Sequence, residues 1–306
     1  MNVLITGGAG YIGTELTKKL SENPDVDRII IYDNLSKGNY ALFTSHKFSN
    51  HENITFIQGE LLDSRKLKKA LEGIDVVYHF AAKVTTPYSD IDPHFFEQTN
   101  HWGTAELVYA IEESDVKQFI FASSIGVYGS SSVNIDEETE PNPRTFYAIS
   151  KFRGEEHVRR LEKKLTTHIV RCGNVFGYSR SMRFDSVINK FAFESNFSNQ
   201  ISIHGNGKQS RAFIHVDFIS EVFDKLLTSK VPSGTYNLVE RNLSVLDIVD
   251  TLKSLNPDLE FIFINQHLKL KSIKVSTELR LSKYLDLTPR STFEEDVKSL
   301  VDRFSF

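Results

Sequence analysis

Tyr147 and Lys151 are the residues of this sequence whose types and spacing most directly offer chemistry. Four positions apart on a helix, they share one face. An ammonium beside a phenol favours the phenolate, so the pair is expected to draw the tyrosine pKa down from about 10 toward working pH. A tyrosine tuned in this way can take a proton from an alcohol and return one to a carbonyl oxygen. Ser124, just past the apolar run Lys117 to Ala122, can hydrogen-bond the same oxygen. A Tyr-x-x-x-Lys pair by itself is a weak signal, because many helices carry one by chance. Its weight comes from the elements on its N-terminal side.

The first of these is Asn2-Val3-Leu4-Ile5-Thr6, a short apolar strand of the kind a parallel sheet buries on both faces. A glycine-rich turn comes next and then a helix to Leu20. Gly8-x-Gly10-x-x-Gly13 fits the dinucleotide fingerprint, as does Gly7-x-x-Gly10-x-x-Gly13. The glycines allow a tight turn and close approach to a pyrophosphate, while Tyr11, Ile12 and Gly13 open the helix whose free N–H groups face it. Arg28 to Tyr32 forms a second apolar strand ending at Asp33, 20 residues past Gly13. That is where an acidic residue accepts the hydroxyls of an adenosine ribose.

These residues need an α/β scaffold, and strand and helix patterns do alternate through the first half. Strands are expected at 54–57, 75–80, 117–122 and 167–171. Helices are expected from Asp63, as N-cap, to Leu71, over Pro93–Glu113, and from Tyr147 to about Lys164. Glu60 and Leu61, after the third strand, are placed to flank an adenine. Phe80-Ala81-Ala82 closes the fourth strand with small residues that let a ligand come close. Asn100, inside the long helix, reads on pattern alone as a surface residue. Beyond Gly173 the alternation weakens. Helices are expected at 184–197, 216–227, 245–255 and 293–304, with strands at 200–204, 235–239 and 261–264. The reading is a doubly wound parallel sheet over residues 1–173 plus about 212–240. A smaller α/β substrate lobe takes about 174–211 and 241–306, over a cleft at the strand ends.

Composition narrows the classes. The chain has 306 residues, 40% hydrophobic and 25% charged, with a formal net charge of −4, which gives no reason to expect nucleic acid as a partner. Its single cysteine, Cys172, excludes an internal disulfide and suits a reducing compartment. The first strand starts at residue 2 and no run reaches the ~18 apolar residues of a membrane span, so a cytoplasmic protein with neither signal peptide nor membrane contact is expected. The ten histidines lack ligand spacing, and no metal is expected.

Taken together, Thr6–Gly13, Tyr32-Asp33-Asn34, His79-Phe80-Ala81-Ala82, Ser123–Gly129, Tyr147-x-x-x-Lys151, Arg171-x-x-Asn174-Val175-Phe176-Gly177 and Arg211–Asp217 resemble the extended short-chain dehydrogenases/reductases. Within them they are most similar to NAD-dependent nucleotide-sugar epimerases and dehydratases, of the UDP-glucose 4-epimerase kind. The resemblance implies a Rossmann domain, tightly held NAD and a nucleoside-diphosphate sugar, with a UDP-hexose favoured. It makes Ser124, Tyr147 and Lys151 the catalytic set, with Lys151 also gripping the nicotinamide ribose. Asn100 becomes a cofactor-site residue, and Cys172 lies beside the nicotinamide as a packing residue. Asn174 would contact the substrate diphosphate region and Arg211 a diphosphate oxygen. The implied reaction is oxidation to a transient keto-sugar and re-reduction on the other face, at C4, with no net redox change.

Departures from the family shape the alternatives. Related 4,6-dehydratases carry Asp-Glu directly after the catalytic Ser or Thr, where Ile125 and Gly126 stand. A keto-sugar reductase using NAD(P)H is the main alternative, although Asp33 disfavours a 2′-phosphate. A non-catalytic NAD-sensing relative is a third reading. The family's C-terminal Arg-Pro-Gly-Asp segment is missing; counting back from Leu287-x-Pro289 puts His267 at its Arg, with Lys269 and Lys271 close behind. Trp102 and Tyr109 read as core, or as the face by which relatives pair helices into a homodimer.

Overall fold

The computed structural model describes residues 1–44, 48–84, 92–130, 134–267, 270, 272–288 and 291–304. The strands are β1 (Asn2–Thr6), β2 (Arg28–Asp33), β3 (Ile54–Gln58), β4 (Val76–His79), β5 (Gln118–Ser124), β6 (Thr166–Cys172), β7 (Asn174–Phe176), β8 (Gln200–His204), β9 (Ser210–His215), β10 (Gly234–Leu238), β11 (Arg241–Ser244) and β12 (Glu260–Ile264). The helices are α1 (Tyr11–Glu22), α2 (Ala41–Thr44), α3 (Ser64–Ala70), α4 (Pro93–Phe96), α5 (Gly103–Glu112), α6 (Phe146–Val158), α7 (Val187–Phe197), α8 (Val216–Leu227), α9 (Val245–Leu255) and α10 (Phe293–Val301).

Seven strands make one parallel sheet in the order β10-β6-β5-β4-β1-β2-β3. The apolar runs of the first strands are buried on both faces, and their alternation decides which residue meets which layer. Val3 and Ile5 pack with Leu16, Leu20, Ile219 and Phe223 of α1 and α8. Leu4 and Ile30 face the other way, against Leu67, Leu107, Val108 and Phe121. This is the Rossmann-like α/β arrangement expected from the sequence. The order reverses at β1, so the crevice between the ends of β1 and β4 is where such sheets admit ligands.

Beyond β6 the chain builds two small sheets, β11-β9-β7 and β12-β8. A third core gathers Ile188, Phe191 and Ile203 with Ile248, Val249, Leu252, Val297 and Leu300 from α7, α9 and α10. Strand β9 and its partners β7 and β11 escaped the sequence reading. Ser210-Arg-Ala-Phe-Ile-His mixes polar and apolar residues too irregularly for a period of two, and β7 has only three residues.

The expected helix 93–113 is corrected. After α4 the chain winds as a π-helix over Glu97–Trp102 before α5 begins. No described helix is long and apolar enough to cross a membrane. Trp102 and Tyr109 are not core residues, being 53% and 37% exposed.

Candidate active site

The glycine turn is built where no side chain fits. Gly7 has φ +72°, and a Cβ there would lie 2.4 Å from the Ala81 nitrogen, so β1 and the end of β4 touch backbone to backbone. At Gly13 a Cβ would meet Gly7 O at 2.5 Å and Gly8 Cα at 2.6 Å. Gly10 N-caps α1 without a side-chain bond and no acidic residue stands in the first turn. The N–H groups of Tyr11, Ile12 and Gly13 therefore lack intrahelical acceptors, a cradle for phosphate oxygens.

Asp33 ends β2 beside this turn. Its Oδ2 accepts from the Ala9 N–H (3.1 Å) and its Oδ1 from the Leu35 N–H (2.8 Å). Burial raises its pKa, and those two amides oppose the rise. Asn34 donates to both oxygens of Glu60 (3.1 and 3.0 Å), tying the ends of β2 and β3 together. Leu61 is buried under α5, where a Cβ on Gly103 would lie 2.8 Å from its Cδ1. Phe80 packs on Phe223 at 4.9 Å, and Ala81 and Ala82 are half-buried beyond it.

The π-turn explains Asn100. It is fully buried, against the surface position that pattern alone suggests. Its Oδ1 accepts from the Lys83 N–H (2.8 Å), and its Nδ2 donates to Lys83 O (2.9 Å) and Ser150 Oγ (3.0 Å). A π-turn widens the helix by one residue and aims this amide at the chain leaving β4; such insertions gather at functional sites. Ser150 lies next to Lys151, so Asn100 links the end of β4 to α6.

Thr145 N-caps α6, accepting from the Ala148 N–H at 3.1 Å, and this sets the rotation of the Tyr147–Lys151 face. Ser124 and Cys172 are register partners at the ends of β5 and β6. Lys151 is 2% exposed, its ammonium sits 4.1 Å over the Phe121 ring, and among the described residues no hydrogen bond holds it. Burial brings its pKa down to about 8, with Cys172 and Glu155 opposing. Cys172 is buried, which pushes its thiol up to about 12, the behaviour of a packing residue.

The expected depression of Tyr147 is corrected. Burial raises its pKa, and the groups that oppose the rise are the Arg183 guanidinium first and the Ser124 hydroxyl second. Lys151, swung over Phe121, is not among them. Arg183 is thus a site neighbour that the sequence reading missed. It is paired to Asp185 through Nε–Oδ1 and Nη2–Oδ2, both 2.9 Å. Burial first, then the Arg183 and Lys83 cations, lower the pKa of Lys37, and Asp185 opposes them. Asn189, fully buried on α7, donates to Arg183 O (2.9 Å) and Tyr11 Oη (3.1 Å) and accepts from the Gly177 N–H (3.0 Å). Arg183 lies in a stretch without periodicity, and Asn189 is a polar residue inside the expected helix 184–197, so neither was flagged.

Asn174 is exposed on β7 and donates to Ala212 O (3.0 Å), while Arg211, on the neighbouring strand β9, donates to Ser210 O (3.1 Å). His267 is exposed in the turn after β12 and, among the described residues, forms no hydrogen bond or ion pair with another candidate site residue. Lys269, Lys271 and Pro289 lie outside the described residues.

A parallel sheet with a phosphate cradle at β1 and a Ser–Tyr–Lys constellation at β5 and α6 defines a dinucleotide-dependent enzyme class. Residues 3–238 match the NAD dependent epimerase/dehydratase family, and the chain belongs to it. The dTDP-D-glucose 4,6-dehydratase of Bos taurus is 34% identical over 270 residues, covering 84% of this chain and 75% of that protein. The putative UDP-glucose 4-epimerase of Methanocaldococcus jannaschii is 30% identical over 225 residues, 72% of this chain and 71% of its own. Among solved structures, the UDP-glucuronic acid 4-epimerase of Bacillus cereus in complex with NAD superposes with a TM-score of 0.84 at 25% identity, covering 99% of this chain and 98% of that one.

Proposed function

We propose that this protein is an NAD-dependent epimerase that inverts C4 of a nucleoside-diphosphate hexose, a UDP-sugar in the first instance. The observation that carries this reading within the family is the pair of residues after Ser124. Ile125 is 3% exposed and packed with Val127, Ile135 and Val275, and Gly126 spends its N–H on Ser124 Oγ at 3.1 Å. Elimination of water needs an acid and a base at those two positions, as the resemblance to 4,6-dehydratases implies. Neither residue can supply a proton.

The residues fit NAD. The glycine cradle admits backbone-bound phosphates, Asp33 presents a carboxylate for ribose hydroxyls, and the buried Lys151 ammonium has hydrogen-bonding capacity left for the second ribose. Asn34, Glu60, Leu61, Phe80, Ala81, Ala82, Asn100 and Cys172 complete the cofactor wall. Bound there, NAD supplies a reversible hydride acceptor. Acting as the phenolate, which Arg183 and Ser124 favour against burial, Tyr147 takes the proton of the sugar hydroxyl at its Oη and returns it to the carbonyl oxygen on re-reduction. Ser124 donates to the same sugar oxygen. Asn174 and Arg211 bind the diphosphate, His267 lies toward the outer rim, and the cations Lys37, Lys83 and Arg183 draw an anionic substrate in. Residues 1–173 with about 212–240 form the NAD-binding domain and the remainder the substrate lobe, and two copies pair as a homodimer.

The test is incubation of purified protein with UDP-, GDP- and dTDP-hexoses without added cofactor. Interconversion to an equilibrium mixture with no net NADH supports the epimerase. Loss of water from the sugar, or product formed only with stoichiometric NAD(P)H and a keto-sugar, overturns it.

A further inference from the structure

We propose, resting on the Ser124–Tyr147–Lys151 reading above, that Glu155 is a positioning residue of this site: its carboxylate clamps the strand ends carrying Ser124 and Cys172 to the helix carrying Tyr147 and Lys151. Tyr147, Lys151 and Glu155 are spaced by four on α6, so they line one face in successive turns. The Glu155 side chain is fully buried. Its Oε1 accepts from Ser123 Oγ (2.6 Å) and Arg171 Nε (3.0 Å), and its Oε2 from Arg171 Nη2 (2.7 Å) and Arg159 Nη2 (2.9 Å). Ser123 and Arg171 are the register partners immediately before Ser124 and Cys172. One carboxylate thus fixes the separation of β5, β6 and α6 at the level of the three reacting side chains. A buried charge kept with four bonds is a costly way to fill a core, and apolar residues hold helices to sheets without it.

The same carboxylate faces Lys151 from one turn below. The other titratable groups around that ammonium are Cys172 on β6 and His79 on β4. His79 is kept neutral by burial and by the ammonium itself, and is bound to Thr6 Oγ1 (2.6 Å) and Thr104 Oγ1 (2.9 Å). Glu155 is therefore the carboxylate that sustains the charge Lys151 presents to a ribose.

Two variants separate the roles. Ser123→Ala removes one clamp bond and leaves the Glu155–Arg171 pair whole. Glu155→Gln combined with Arg171→Met removes both fully buried charges at near-constant volume, and the remaining partner, Arg159, is part-exposed and can turn to solvent. NAD affinity of cofactor-stripped protein is measured against pH, together with turnover. Ser123→Ala is expected to lower kcat about tenfold, with KM and the pH midpoint of NAD binding unchanged. The double variant is expected to move that midpoint down by about one pH unit. An unshifted midpoint in the double variant, or full turnover in Ser123→Ala, overturns the proposal. Wild-type protein that binds NAD and converts no sugar overturns the epimerase reading instead, and the NAD titration still decides the role of Glu155.

Discussion

At the scale of single residues, a half-buried phenol and a fully buried ammonium are both held toward their neutral forms. Tyr147 is raised by burial and relieved by Arg183 and Ser124. Tyr147→Phe is expected to cost 10²–10⁴-fold in turnover while NAD stays bound, measured by kcat and by the absorbance of released cofactor. Retained turnover would remove the phenol from the mechanism. Lys151 falls from its ordinary 10.5 to about 8. Between those values the unfolded chain binds more protons than the native one, so stability rises with pH through that window and is penalised below it. Lys151→Met is accordingly expected to stabilise the cofactor-free protein at pH 7, by on the order of 2 kcal/mol, and to weaken NAD binding. Denaturant titrations at pH 7 and 10 check this, the gain shrinking at the higher pH. Tyr147, Lys151, Ser124, Asp33 and the glycines could be read from the sequence because their spacing is local. Arg183, Asn189 and Glu155 could not, since the groups that tie them to the site, Tyr147 for the first, Tyr11 for the second, Ser123 and Arg171 for the third, lie in distant segments that only the fold brings together.

At the scale of elements, the alternating strands and helices of the first half were legible because burial on both faces leaves continuous apolar runs. Asp63 was expected to cap its helix by short-range hydrogen bonding, and it does accept from the Lys66 N–H at 3.1 Å. What the pattern could not reveal was the π-turn at 97–102, since one extra residue per turn leaves the apolar spacing nearly intact. Asn100→Ala would leave the Lys83 amide and carbonyl without partners in a buried site. A loss of about 2–4 kcal/mol is expected from that, with weaker NAD retention, read by thermal unfolding with and without NAD. A loss confined to one of the two measurements would separate the element's structural part from its binding part. Gly7→Ala tests the first turn in the same way. A side chain at φ +72° and 2.4 Å from a backbone nitrogen cannot be housed, and roughly 2 kcal/mol or more of stability goes with it.

At the scale of the whole molecule, one flank of the sheet carries aromatic surface that the monomer leaves uncovered. Phe95, Trp102, Tyr109 and Phe146, from α4, the π-turn, α5 and α6, are 37–53% exposed. Arg153–Glu97 (2.8 Å) and Arg160–Glu112 (3.0 Å) ion pairs run beside them. An aromatic patch with a charged rim is the composition of a subunit interface, and the proposed homodimer covers it. Trp102→Glu is expected to shift the mass by light scattering from a dimer toward the 34.9 kDa of one chain; a wild-type protein that is monomeric at working concentrations removes the premise. The same face predicts a pH dependence. His101 Nε2 stands 3.1 Å from His157 Nε2, with Glu97 on the His101 Nδ1 at 2.8 Å, and Trp102 stacks on His101. Two imidazoles that close can share a proton and cannot each hold one in that contact. Burial first, then His101 and Arg160, keep His157 below its ordinary 6.5, while Glu156 and Glu112 oppose them. A depressed base is protonated more readily once the contact opens, so the closed face loses stability as pH falls below 6.5 and regains it above. Thermal stability should therefore fall between pH 7.5 and about 5.5, and His157→Gln should flatten that fall; an equally steep response in the variant would assign the effect to other groups.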